Sequence, residues 1–328
     1  MTAPTETTSD SRPLTSVDGI NPSRARPSVR ALMERTRLDV RDLTAPLLVL
    51  PENLDAAGLP GAVPLSAVGE TVRRWAALGI RSVKIFAYGD HRDAKASAAL
   101  RPGNRMLAAI AAVKAAEPQM VVTTEVCGCS WTDHGECVLL NAAGALDLEA
   151  TYALMASMAV AHAREGAEVV SPTAMIDGSV RVVRDALTDD GWPEVGVCPN
   201  LAVHTSLYGP FKRLMGTNPA RGHRRGFQLE PGRAERDIIS QTDRWLAEGA
   251  DSLTMQPVMT CVDLLVRVRA HVQVPVIAYS TSGEYAALTA LGGDGLVEYH
   301  AGLVRAGADL VLTYAAEQVA RILQGAAS

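Results

Sequence analysis

The stretch Glu125-Val-Cys-Gly-Cys-Ser-Trp-Thr-Asp-His-Gly-Glu-Cys137 gathers three of the chain's five cysteines into eleven residues. Zinc favours thiolate sulfur, and a Cys-x-Cys pair with a third cysteine a few residues on can wrap three ligands around one ion. Cys127, Cys129 and Cys137 are therefore the predicted metal ligands, and their spacing is too tight for two disulfides. Three protein ligands leave one coordination position for water or substrate, the pattern of a catalytic rather than a structural zinc. Packing as small buried hydrophobes suits Cys198 and Cys261 better, because Gly, Asp, His and Glu between the clustered thiols make a polar loop.

A loop of this kind needs elements to position it. Short apolar, β-branched runs recur at 45–50, 82–88, 120–126, 167–172, 194–199, 252–257, 274–279 and 310–315, giving eight predicted strands. Between them lie helical patterns such as DLEATYALMASMAVAHAREGA and RAERDIISQTDRWLAEGA, several closing on Gly-Ala just before the next strand. Strands alternating with amphipathic helices require a parallel sheet, and eight such units predict an α/β fold of the (β/α)8 TIM-barrel type. Chemistry then belongs at the carboxyl ends of the strands, and the cysteine stretch begins where the third strand ends. One barrel domain over 29–328 is expected, preceded by a Thr-, Ser- and Pro-rich segment over 1–28 that is disordered or an arm lying on something else.

Composition narrows the partner. A net charge of −5 with scattered Arg and Glu offers no basic stripe for nucleic acid. No apolar run reaches the roughly 18 residues of a membrane span, and the amino terminus lacks a signal-peptide layout. A cytoplasmic protein with a small-molecule ligand is expected, and in a reducing compartment clustered thiols point to metal or catalysis.

The spacing Cys127-x-Cys129-x7-Cys137, with Thr132-Asp-His134-Gly135 inside, resembles the zinc loop of the porphobilinogen synthase (5-aminolevulinate dehydratase) family. The resemblance continues through MIDG (175–178), YGPF (208–211), FQLEPG (227–232), EGAD (248–251), YSTSGEY (279–285) and GADLVLTY (307–314), spanning about Pro27 to the carboxyl terminus. It implies a TIM barrel whose amino-terminal arm embraces neighbours in a homo-oligomer, an octamer or hexamer. It further implies Zn2+ as cofactor, and an activity that joins two 5-aminolevulinate molecules into a pyrrole.

By the same resemblance, two lysines hold the substrates as Schiff bases, and their places carry Ala202 and Gln256 here. The chain has four lysines, Lys84, Lys95, Lys114 and Lys212, none at either place. Neither Ala nor Gln offers a primary amine. Other departures are Glu125 for an Asp, Glu136 for a His, Thr173-Ala174 for Ser-Asp and Ser179 for an Arg. Lys212, Arg224 and Gln228 stand where the family grips one substrate carboxylate, and Ser282 and Tyr314 where it grips the other. Tyr208, Phe211 and Tyr279 complete the expected substrate-binding set. Arg221 and His223 are read as a solvated loop, and Asp177 as structural or as a support behind the site residues.

Three residues are candidates for chemistry: Glu125 as general acid or base beside the metal, Gln256 as a substrate-facing amide, and Lys84. Lys84 interrupts an apolar strand and shares a face with Phe86. It is either an amine placed in the pocket or a lysine that snorkels or pairs with a carboxylate such as Glu125.

Three functional readings follow. The first is a zinc-dependent lyase or dehydratase of this superfamily, working without Schiff-base lysines on a different small amino- or keto-carboxylate in a specialised pathway. The second is a non-catalytic relative that binds metal or carboxylate, or co-assembles with a true synthase. The third is a genuine 5-aminolevulinate dehydratase.

Overall fold

The computed structural model describes residues 26–33, 38–56, 58–220 and 224–325. Most of the predicted arm, and Arg221 and His223, lie outside them. A short helix, Pro27–Met33, belongs to a separate amino-terminal unit, and the barrel begins at Leu38.

The described residues form ten strands: β1 (Leu43–Leu50), β2 (Ala62–Pro64), β3 (Ser82–Ala87), β4 (Val121–Val126), β5 (Val169–Pro172), β6 (Gly196–Val197), β7 (Asn200–Ala202), β8 (Leu253–Gln256), β9 (Val276–Ser280) and β10 (Leu310–Thr313). They pair in parallel in the order β6-β5-β4-β3-β1-β10-β9-β8-β7, with β2 added beside β1. Because β6 and β7 follow one another around Pro199, the chain itself closes the ring into a (β/α)8 barrel.

Two details depart from the sequence expectation. The small strand β2 was not anticipated. The fifth predicted strand is split: β6 pairs with β5, β7 pairs with β8, and Pro199, which has no backbone N–H to donate, sits between them.

The helices form as their patterns dictate. In Leu148–Arg164 the buried Thr151, Leu154, Met155, Met158, Ala159, His162 and Ala163 recur at three- and four-residue steps, and the Asp147 side chain caps the first turn at Ala150 N, 3.0 Å away. Ala234–Ala247 is followed by Gly249 at φ +100°, the left-handed conformation that glycine adopts without strain.

Two hydrophobic layers result. Outward-facing strand residues such as Val122 and Val170 pack against the helices. Inside, Leu48, Leu50, Phe86, Tyr279, Leu312 and Tyr314 fill the barrel lumen. Strand alternation also sends Lys84, Glu125, Ser171, Asn200, Ala202 and Gln256 inward, so one face of five strands supplies the polar lining. Among the described residues no helix is long and apolar enough to cross a membrane.

Candidate active site

Strand β4 delivers Glu125 to the lumen, and the chain then turns through Gly128–Ser130 and returns to Cys137. Gly128 N donates to Cys137 O at 3.1 Å and Thr132 Oγ1 to Glu136 O at 2.9 Å, which pins the loop in a compact fold. The loop lies directly on Gly89, where a Cβ would come within 1.8 Å of Ser130 O. The Sγ atoms of Cys127, Cys129 and Cys137 all lie within 4.8 Å of one another, and all three residues are buried.

The electrostatics fit a cation at this triad. The Cys137 thiol is held well below its ordinary range by hydrogen bonds from Cys127 and Cys129, whereas Cys127 is pushed up by its own bond to Cys129. Three converging sulfurs suit a thiophilic divalent ion rather than calcium or magnesium. Arg224 stands alongside. Burial works against its charge, but the field of Cys137, and after it Cys129, Cys127 and Glu136, raises its affinity for the proton above the ordinary value. Its guanidinium donates from Nη2 to Gly135 O and Thr217 O, tying the thiol loop to the opposite wall, while Nε is buried without a partner.

The triad opens into a cavity of about 670 Å³, counting the space that opens to solvent. Glu125, Gln256, Tyr208, Phe211, Lys212, Arg224, Gln228, Tyr279 and Ser282 line it together with the three cysteines. Burial, and then the Cys137 thiolate, raise the Glu125 carboxyl to about 7. Lys212 is pushed down by burial and then by Arg224, and its Nζ lies 5.4 Å from the Tyr208 ring centroid. Gln228 Oε1 is 2.8 Å from His204 Nδ1, and Ser282 Oγ accepts from Phe211 N at 2.9 Å. Ala202 and Gln256 are neighbours in register and both line the cavity.

Two predicted site residues lie elsewhere. Tyr314 sits behind Tyr279, their hydroxyls 3.3 Å apart and their rings stacked at 6.4 Å, so it backs the lining. Lys84 neither snorkels nor pairs with Glu125. It is buried, and Nζ donates to Ser171 Oγ at 2.8 Å and Asn200 Oδ1 at 3.1 Å. Asp177 is an exposed ion-pair partner of Arg244.

Sequence reasoning missed Asn200, Ser171 and Thr281. Asn200 was findable: it lies two residues before Ala202 in a strand, and so on the same face. Also missed was Glu284, which is fully buried and accepts from Val258 N at 3.0 Å and from Met259 N and Thr281 N at 2.5 Å each. It fixes the turn that follows Gln256.

Residues 20–322 match the family profile described as delta-aminolevulinic acid dehydratase. The chain is 32% identical to the delta-aminolevulinic acid dehydratase of Synechocystis sp. over 323 residues, covering 93% of this chain and 98% of that protein. It is 32% identical to the Escherichia coli dehydratase over 310 residues, covering 90% and 95%. Among solved structures, the Toxoplasma gondii delta-aminolevulinic acid dehydratase, in complex with its reaction product porphobilinogen, superposes with a TM-score of 0.87 at 25% identity, covering 92% of this chain and 91% of that one.

Proposed function

The chain belongs to the delta-aminolevulinic acid dehydratase family, and from that premise we propose that it is a dehydratase-type lyase condensing small amino-keto carboxylates, with 5-aminolevulinate the foremost substrate. The observation that carries this reading is the cavity in which three buried thiols face Arg224, Lys212 and Gln228. The relatives' names favour aminolevulinate over a substrate from a specialised pathway.

Cys127, Cys129 and Cys137 would hold zinc, which supplies Lewis acidity toward a substrate carbonyl or amine. Arg224, with Lys212 and Gln228, grips a carboxylate, since a guanidinium fork matches that geometry. Phe86, Phe211 and Tyr279 exclude water from the reacting groups. Glu125, buried at the end of β4 beside the thiol triad and lining the cavity, takes a proton from one substrate position and returns it to the departing oxygen. Residues 1–28 are assigned to an arm joining subunits of a homo-oligomer. Truncation ahead of Val29 is expected to yield a smaller species by light scattering.

A second reading, an enzyme for another keto-carboxylate, is favoured by one observation. Ala202 and Gln256 both line the cavity, and neither can form an imine. The test is incubation of the zinc-loaded protein with 5-aminolevulinate and with a panel of amino- and keto-carboxylates, read by mass spectrometry with and without chelator. Chelator-sensitive porphobilinogen supports the first reading, and turnover of another panel member alone supports the second. Turnover of none would remove both.

A further inference from the structure

The amine of Lys84 occupies an unusual place. Lys84 is in register with Thr123 on β4, while its Nζ reaches Ser171, which is in register with Glu125. The nitrogen therefore stands at the layer of Glu125 and Asn200, both of which line the cavity, one layer below Ala202 and Gln256. Two residues along a strand span about 6.6 Å, a distance that rotation of the four-carbon lysine stem can cover.

The hydrogen-bond partners suit the free base. An ammonium carries three N–H groups, whereas the free base carries two and a lone pair. Lys84 Nζ has two acceptors, Ser171 Oγ and Asn200 Oδ1, and Ser171 Oγ spends its own proton on Cys198 O at 2.6 Å. No carboxylate forms an ion pair with Lys84 among the described residues, and the Phe86 ring centroid is 5.9 Å away. An ammonium would turn its third N–H toward the Phe86 ring rather than a hydrogen-bond acceptor, whereas the free base gives both of its N–H groups to Ser171 and Asn200 and keeps its lone pair unengaged. Burial acts in the same direction, lowering the amine's proton affinity. The other lysines differ: Lys114 is paired with Glu168, Lys95 is exposed, and Lys212 stands beside Arg224 as part of the carboxylate grip.

We infer that Lys84 is the amine that captures the substrate's keto group as an imine, entering the cavity from the β3 wall. The nitrogen lone pair attacks the carbonyl carbon, and the carbonyl oxygen leaves as water with the two amine hydrogens. A C=N bond replaces C=O, and hydrolysis restores the amine. The inference rests on the keto-carboxylate reading of the cavity.

The zinc-loaded protein is treated with cyanoborohydride and saturating levulinate or 5-aminolevulinate, and the adduct is mapped by peptide mass spectrometry. The expected result is one adduct per chain on Lys84, heavier by the mass of the keto acid less one oxygen. Lys84→Met should lose it while keeping its metal content and melting behaviour. If that variant does not fold, mapping of the wild-type protein decides alone. Labelling of Lys212 instead, or no adduct on Lys84 with either probe, would overturn the inference. An adduct on Lys84 without turnover of any panel compound supports the amine and sinks the proposed activity. Turnover without an adduct does the reverse.

Discussion

Arg224 offsets the negative charge of the thiol triad, bonds the loop carbonyl of Gly135, and keeps its buried Nε unpaired in the molecule as it stands. A carboxylate arriving in the cavity would find that N–H available. Lysine cannot reproduce the planar fork, so Arg224→Lys is expected to raise KM by roughly 10- to 100-fold, the range of one charged hydrogen bond. The fall in kcat should be smaller, and steady-state kinetics on the substrate identified above would separate the two. The thiols make a sharper case. Losing an outer-shell partner of a metal site costs about 10- to 100-fold in affinity, and losing a ligand should exceed that. Cys129→Ser is expected to reduce metal from about one ion per chain to trace levels, and full occupancy by elemental analysis would contradict the site.

The thiol loop and the turn after β8 are held by close packing and by one buried side chain respectively. At Gly89 any Cβ collides with the Ser130 carbonyl, a backbone atom that cannot rotate away. Gly89→Ala should therefore displace the loop and weaken metal binding, although position 89 carries no ligand. Competition with a colorimetric chelator would read this, and unchanged affinity would show that the loop is not pinned there. Glu284 acts similarly on the turn behind Gln256. Replacing it with Ala leaves several buried N–H groups unmatched, at about 1–3 kcal/mol each before relaxation. Glu284→Gln keeps one acceptor oxygen and should lose less, so urea unfolding is expected to rank wild type, Gln, then Ala.

At the scale of the whole molecule, two buried histidines set an acid limit. His162 meets Thr124 Oγ1 at 2.9 Å, and His300 sits between Leu296 O and Thr313 Oγ1. Burial pushes them down to about 3 and about 4. Below pH ~6.5 the unfolded chain binds protons that the folded chain refuses, so stability falls with falling pH. Each histidine contributes up to about 1.4 kcal/mol per pH unit, until about pH 4 for His300 and about pH 3 for His162. Urea midpoints between pH 7.5 and 5 should decline, and His162→Gln should remove about half of the histidine-dependent slope.

The barrel itself was legible because its strands are short apolar runs that alternate with helices repeating at three and four. The three cysteines were legible because they are close in sequence. Lys84 was visible as a charge in an apolar strand, but its partners were not, since Ser171 and Asn200 lie 87 and 116 residues away. No local pattern encodes such a meeting. The break at Pro199 was equally hidden, because a proline that ends a strand and one that divides it look alike in sequence.

That break gives the molecule a seam. Ser171 and Pro172 at the top of β5 pair with β4 alone, and Asn200–Ala202 pair with β8 alone, so side chains rather than a backbone ladder close the wall between them. The thiol triad belongs to the half of the barrel before the seam, and Lys212, Arg224, Gln228 and Ser282 to the half after it. A ligand gripped by both would act as a staple across a zip that is open at its upper end. Amide hydrogen exchange at 169–172 and 196–202 should therefore slow when a keto-carboxylate binds, while exchange at the β1–β10 junction, far from any such staple, stays as it was.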